Sequence, residues 1–151
     1  MKISRKRPSA SKNISRRKAT RKNVASAPRP SSNHVSKLFR TFDAFYSWLE
    51  RHHANKDELW VRMYKKSSGK QSTDWQMSVR AALCWGWIDS TVRSLDESCY
   101  IQRFTPRRPK SIWSKKNQQN VKDMIASGKM REPGMVHVRS ARKDGRWAAA
   151  Y

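Results

Sequence analysis

From residue 38 onward, apolar side chains recur with two different periods. Phe42, Phe45 and Leu49, with Trp48 beside them, share one face at helical spacing. Thr41 precedes them as a cap and Asp43 sits in the first turn, so a helix is predicted from there to about His53. In residues 58–65 the period drops to two, with Leu59, Val61 and Met63 against Trp60, Arg62 and Tyr64. That is a strand pattern, and bulk on both sides predicts that its second face is also partly covered. Residues 67–70 read as a turn. Ser72 or Thr73 then caps a second helix with Asp74 in its first turn and Trp75, Val79, Ala82 and Leu83 inward. Trp85 closes that helix and Gly86 supplies a left-handed stop, which glycine adopts at least cost. Trp87 and Ile88 begin the next strand, with Trp87 as an apolar anchor.

Residues 87–95 and 98–104 read as a hairpin around Asp96-Glu97. Pro106 and Pro109 exclude residues 105–111 from a central strand or a helix. Ser114 caps a helix over 115–127 with Val121, Met124 and Ile125 inward and Gly128 as its stop. Pro133 opens a last helix through Arg142, and Gly145 ends it. Helices and strands mix without regular alternation. The expected fold is therefore α+β: one small domain over 38–151, with a short antiparallel sheet and about four helices.

Residues 1–37 break the pattern. Their large apolar residues are Met1, Ile3, Ile14, Val24 and Val35. Of the 34 Lys and Arg in the chain, 12 lie here beside none of the 11 acids, so this segment carries +12 of the net +23 and the rest carries +11. Such a segment cannot bury enough surface to offset its ordering entropy, and a disordered basic tail is expected. Arg5, Lys6, Arg7, Arg16, Arg17, Lys18, Arg21 and Lys22 are its candidate nucleic-acid contacts; the short basic runs resemble a nuclear signal or an RNA-binding arm. A solvated extension with no partner is the simpler reading. The Arg/Ser-rich, acid-free composition also suits an organelle transit peptide, but no apolar stripe repeats at helical spacing. No secretory h-region and no run of 18 apolar residues occurs, so a cytoplasmic protein without a transmembrane segment is expected. A surface this basic attracts polyanions, nucleic acid or anionic lipid, with a steep salt dependence.

Candidate chemistry concentrates in residues 105–117, TPRRPKSIWSKKN. Prolines stiffen the loop, Arg107 and Arg108 offer forked donors for carboxylate or phosphate, Ser111 and Ser114 add hydroxyls, and Trp113 adds a flat wall. Asn117 follows in the first turn of the helix that Ser114 caps, where free N–H groups favour an anion. The competing reading is a rigid connector whose arginines pair with Asp89 or Asp144 and whose tryptophan joins the core. Asp89 is a cap, an ion-pair partner or, less simply, a general base. No nucleophile–base–acid set and no glycine-rich phosphate loop is present. Two cysteines, Cys84 and Cys99, are too few for a disulfide framework, and Cys84 lies in an apolar helical pattern as a small core residue. Neither has a histidine at ligand spacing, and His52-His53 cannot act as neighbours on one helix face; no metal or other cofactor is expected.

Taken in order, ALCWGWID, TPRRPKSIWSKKN, GKM and ARKDGRWAAAY resemble the YdeI/OmpD-associated, or bacteriocin-protection, family from about Phe39 to Tyr151. Ala82, Leu83, Cys84, Gly86, Trp87, Ile88 and Asp89 fall in its first block. Pro106, Arg107, Ser111, Trp113, Ser114 and Asn117 fall in its second. Gly128, Met130, Gly134, Ala141, Asp144, Gly145, Trp147, Ala149 and Tyr151 match its third. Ser90 stands where that family usually has glycine, and its members usually continue into a further helical region beyond this tyrosine. The resemblance implies a role in stress or bacteriocin tolerance and supplies no catalytic residues. Together these readings point to a non-catalytic protein that binds an anionic ligand or partner through Arg107, Arg108, Ser111, Trp113, Ser114 and Asn117, with Asp89, Trp87 and Trp147 beside them. The alternative is nucleic-acid binding driven by the tail.

Overall fold

The computed structural model describes residues 34–151. The order is β1 (Ser36–Leu38), α1 (Phe42–His52), β2 (Leu59–Tyr64), α2 (Trp75–Cys84), β3 (Trp87–Ser94), β4 (Cys99–Pro106), α3 (Lys115–Ala126) and α4 (Glu132–Lys143). The class is α+β, with four helices and a four-stranded sheet ordered β1-β2-β4-β3. The eight candidate nucleic-acid contacts of the basic tail, Arg5 to Lys22, lie outside the described residues.

The sheet is mixed, not antiparallel throughout: β1 runs parallel to β2, with Ser36 opposite Trp60. Two parallel neighbours need a crossover, and α1 provides it. Pairing also starts two residues before the expected beginning of the folded part. Ser36 and Lys37 are polar because a three-residue edge strand is mostly solvated, so no alternation marked them.

Helix starts follow their caps. Thr41 Oγ1 accepts from Ala44 N and Ser114 Oγ from Asn117 N, at 3.2 and 3.1 Å. The α2 cap is Asp74, which accepts from Met77 N at 2.7 Å, not Ser72 or Thr73. Those two hydroxyls serve elsewhere: Ser72 Oγ accepts from Tyr64 N, and buried Thr73 Oγ1 accepts from Ser78 Oγ.

Strand β4 runs through Pro106, although the prolines had excluded residues 105 and 106 from a central strand. The reason is local. Arg107 N donates to Gly86 O at 2.9 Å, toward β3, so the amide of residue 106 would face the other way. There the β2 ladder has already ended at Leu59 opposite Phe104, and proline forfeits no ladder bond.

Leu59, Val61 and Met63 join Phe104 and Trp87 on the helix-covered face, with Phe45, Leu49, Leu83 and Val121 packed above. Trp87 is 1% exposed and edge-on to Trp48 at 5.8 Å. Two residues expected inward are not: Trp75 and Ile125 are 37% and 42% exposed. On the opposite face, Trp60 is covered by His34, stacked at 4.4 Å, and by Arg93.

Candidate functional site

The segments that carry the sequence motifs meet at the C-terminal end of α2. Gly86 turns the chain at φ 76°, and a Cβ there would lie 2.5 Å from Pro133 O. Gly134, in the first turn of α4, comes so close to α2 that its Cβ would meet Leu83 O at 2.4 Å and Cys84 O at 2.6 Å. Arg131 N donates to Cys84 O at 3.1 Å. The N-terminus of α4 is thus seated on the carbonyl end of α2, and Arg107 is tied to the intervening turn through Gly86 O.

Arg107 is buried, 6% exposed. Its guanidinium stacks 3.7 Å above the ring of Trp113, itself buried and 5.0 Å from the Trp147 ring. Arg107 Nη2 donates to Ile112 O at 2.9 Å, while Nε finds no acceptor among the described residues. The Ser111 hydroxyl is likewise buried without a partner. A second guanidinium closes the corner. Arg146 Nη1 donates to Ser111 O at 2.9 Å, Nη2 to Ser140 Oγ at 3.1 Å, and Nε to Asp144 Oδ2 at 2.7 Å. The Asp144 carboxylate therefore answers Arg146; among the described residues Arg107 has no carboxylate within ion-pair distance, and Tyr151 supplies the charge that partly offsets its own.

Burial, and then the neighbouring Arg146, push the Arg107 guanidinium down to about 10. It stays charged at neutral pH, held there at a cost. His137, half-buried on α4, is lowered by burial first and then by Arg107 and Arg146. The local balance is an excess of positive charge in a poorly solvated corner, with two unsatisfied polar atoms, Arg107 Nε and Ser111 Oγ. Desolvated donors of this kind strengthen any anion that reaches them.

Of the residues expected at the site, Arg107, Ser111, Trp113 and Trp147 come together here. Arg108 is exposed. Trp87 belongs to the interior and offers no ligand surface; its Nε1 donates to His53 O at 3.2 Å. Asp89 pairs with neither arginine. It accepts from Trp75 Nε1 at 2.7 Å, at the far end of α2. Ser114 and Asn117 are taken up by the helix: Ser114 Oγ caps Asn117 N, and Asn117 Oδ1 accepts from Asn120 Nδ2. Helix α3 starts where its cap predicts, but the N–H groups expected to be free for an anion are partly taken, because Lys115 N donates to Tyr151 O at 2.8 Å. With that and the Ser114 cap, the helix N-terminus is served largely by the chain itself. Arg146 and His137 were not foreseen. The sequence signal for Arg146 was the Asp144-Gly145-Arg146-Trp147 turn; His137 carries none.

Elsewhere, burial raises the Cys84 thiol to about 12. No group of three or more His, Cys, Asp and Glu among the described residues could hold a metal ion. No helix among them is long and apolar enough to cross a membrane.

A family model described as a domain of unknown function, DUF8412, matches residues 37–137. The chain belongs to this family. No curated protein and no solved structure matches it. The matched stretch contains Arg107, Ser111, Trp113 and His137; Asp144, Arg146 and Trp147 lie beyond it.

Proposed function

We propose that this DUF8412 member is a non-catalytic binding protein that takes an anionic ligand, or an anionic group on a partner, at the Arg107 corner. One observation carries the reading: among the described residues, a nine-tenths buried guanidinium has a free Nε and no ion-paired carboxylate, with an orphan hydroxyl at Ser111 beside a second arginine. Burying a charge unpaired is unfavourable, and an anion bound by Arg107 and Ser111 would relieve both deficits at once. The resemblance of its sequence motifs to the YdeI/OmpD-associated family supports a role for this binding in stress or bacteriocin tolerance. A cytoplasmic location is part of the same proposal.

The test is titration of the full chain with inorganic phosphate and with citrate, followed by the NMR signals of His137. A bound anion offsets the field of Arg107 and Arg146, so the His137 pKa rises toward its ordinary value. Arg107→Gln abolishes that response, and Arg108→Ala leaves it intact. A His137 titration indifferent to saturating anion overturns the reading.

A second reading rests on the charge of residues 1–37, +12 without an acid: non-specific nucleic-acid binding by the tail. It predicts a slope of log affinity on log salt that falls by several when the tail's arginines and lysines are replaced.

A further inference from the structure

The opposite end of α2, about 15 Å along a helix of this length from the Arg107 corner, carries a different surface. A groove of about 410 Å³ opens there, lined by Tyr64, Lys65, Lys66, Asp74, Trp75 and Tyr100. Its volume falls within the range of roughly 300–1,000 Å³ usual for ligand sites.

The Trp75 indole is the unusual element. Helical periodicity assigns it to the core, yet it is 37% exposed, and its Nε1 is held by Asp89 Oδ2 at 2.7 Å. That bond holds a large flat ring in place at the surface. Lysines surround the aromatic rings: Lys116 Nζ lies 4.4 Å from the Trp75 ring centre and Lys70 Nζ 5.2 Å from that of Tyr64. The two carboxylates nearby are already engaged, Asp74 by Met77 N and Asp89 by Trp75. Four lysines against two occupied acids leave the groove positive.

We propose that this groove binds single-stranded nucleic acid, with a base stacked on Trp75 between the tyrosines and the flanking phosphates on Lys65, Lys66, Lys70 and Lys116. A single strand presents what the groove complements: a π-face without sequence requirement and negative charge at regular spacing. A duplex hides its base faces. Lysine suits the phosphate role, being a compact charge on a flexible stem that can leave an aromatic face for a phosphate. Its lining residues are separate from those of the Arg107 corner.

The experiment uses the full chain and fluorescein-labelled oligothymidylate, beside a labelled duplex of the same length, at two salt concentrations. The basic tail attracts both forms through charge alone, so the ratio of the two affinities reports the groove. Trp75→Ala is expected to weaken single-strand binding about 5- to 150-fold, the effect of losing one stacked base, with duplex binding unchanged. Trp75→Phe restores most of it. Lys65→Ala with Lys66→Ala lowers the single-strand salt slope by about 1.4, the loss of two phosphate contacts. Should Trp75→Ala fail to fold by circular dichroism, Trp75→Phe and the lysine pair decide. Equal losses on single strand and duplex, or none on either, overturn the proposal. So does polyglutamate displacing the oligonucleotide as well as unlabelled oligothymidylate does, since the groove would then be reading an acidic protein.

Discussion

Gly134 and Leu83 stand so close that a single added carbon on the glycine would lie 2.4 Å from the leucine's carbonyl oxygen, with Cys84 O at 2.6 Å behind it. Both obstacles are backbone, so no rotamer change relieves them. The contact lets α4 begin directly on the carbonyl end of α2, which places Arg131 N on Cys84 O and brings His137 beside Arg107.

Gly134→Ala therefore forces the two helices apart although alanine is the better helix former. Urea unfolding should show a loss of about 1–3 kcal/mol, the usual result of overpacking an interior contact. The His137 pKa should move toward its ordinary value as the corner opens. A variant as stable as the parent would mean that the helices do not meet here.

The field of the two arginines on His137 gives a second expectation. Arg107→Gln removes one charge, so the imidazole gains protons at a higher pH than in the parent. Because the folded pKa lies below the unfolded one, the parent's stability contribution from His137 is complete above about pH 6.5 and is lost as pH falls from there through the lower folded pKa. In the variant the acid-side loss is smaller. NMR titration of His137, with thermal unfolding at pH 5 and pH 8, checks both.

Local signals carried much of the fold. Thr41, Ser114 and Gly86 act within a turn of their own position, and the α1 and α3 starts and the turn after α2 follow from them. What was not legible depends on neighbours distant in the chain. Ser72 and Thr73 look like helix caps until Tyr64 and Ser78 claim them. Trp75 fits an apolar stripe until Asp89 offers its carboxylate. Ser36 and Lys37 have no strand pattern because they pair on a solvated edge. At the candidate site the Arg107–Trp113 loop was visible as composition. Its pairing with Arg146 and His137 was not, since α4 supplies them by packing and not by spacing.

The β3–β4 turn is held by one carboxylate. Asp96 Oδ1 accepts from Ser98 N at 2.7 Å, Ser98 Oγ at 2.8 Å and Cys99 N at 3.0 Å. These bonds, the Ser98 hydroxyl foremost, lower its pKa to about 2. The contribution is complete above the ordinary carboxylate value and is lost as pH falls toward 2. Asp96→Asn should speed amide exchange at Ser98 and Cys99 while leaving α1 and α3 protected. Unchanged exchange would show that the backbone holds the turn unaided.

Gln102 gives the last expectation. It is 1% exposed on the helix-covered face of β4, opposite Val61, and neither its Oε1 nor its Nε2 has a hydrogen-bond partner among the described residues. Its amide was desolvated on folding without compensation, which costs about 1–3 kcal/mol for a buried polar group. Leucine and methionine approximate its volume and present nothing to satisfy, so Gln102→Leu or Gln102→Met should raise the unfolding free energy by about 1 kcal/mol or more once packing differences are set against the gain. Equilibrium urea unfolding measures it directly. The Arg107 corner and the Trp75 groove draw on other residues, so both variants should keep the His137 response to phosphate and the preference for single-stranded over duplex oligonucleotide. A stabilised variant that lost either would tie the Gln102 amide to function, since retaining an unsatisfied polar group in a core is otherwise a net loss.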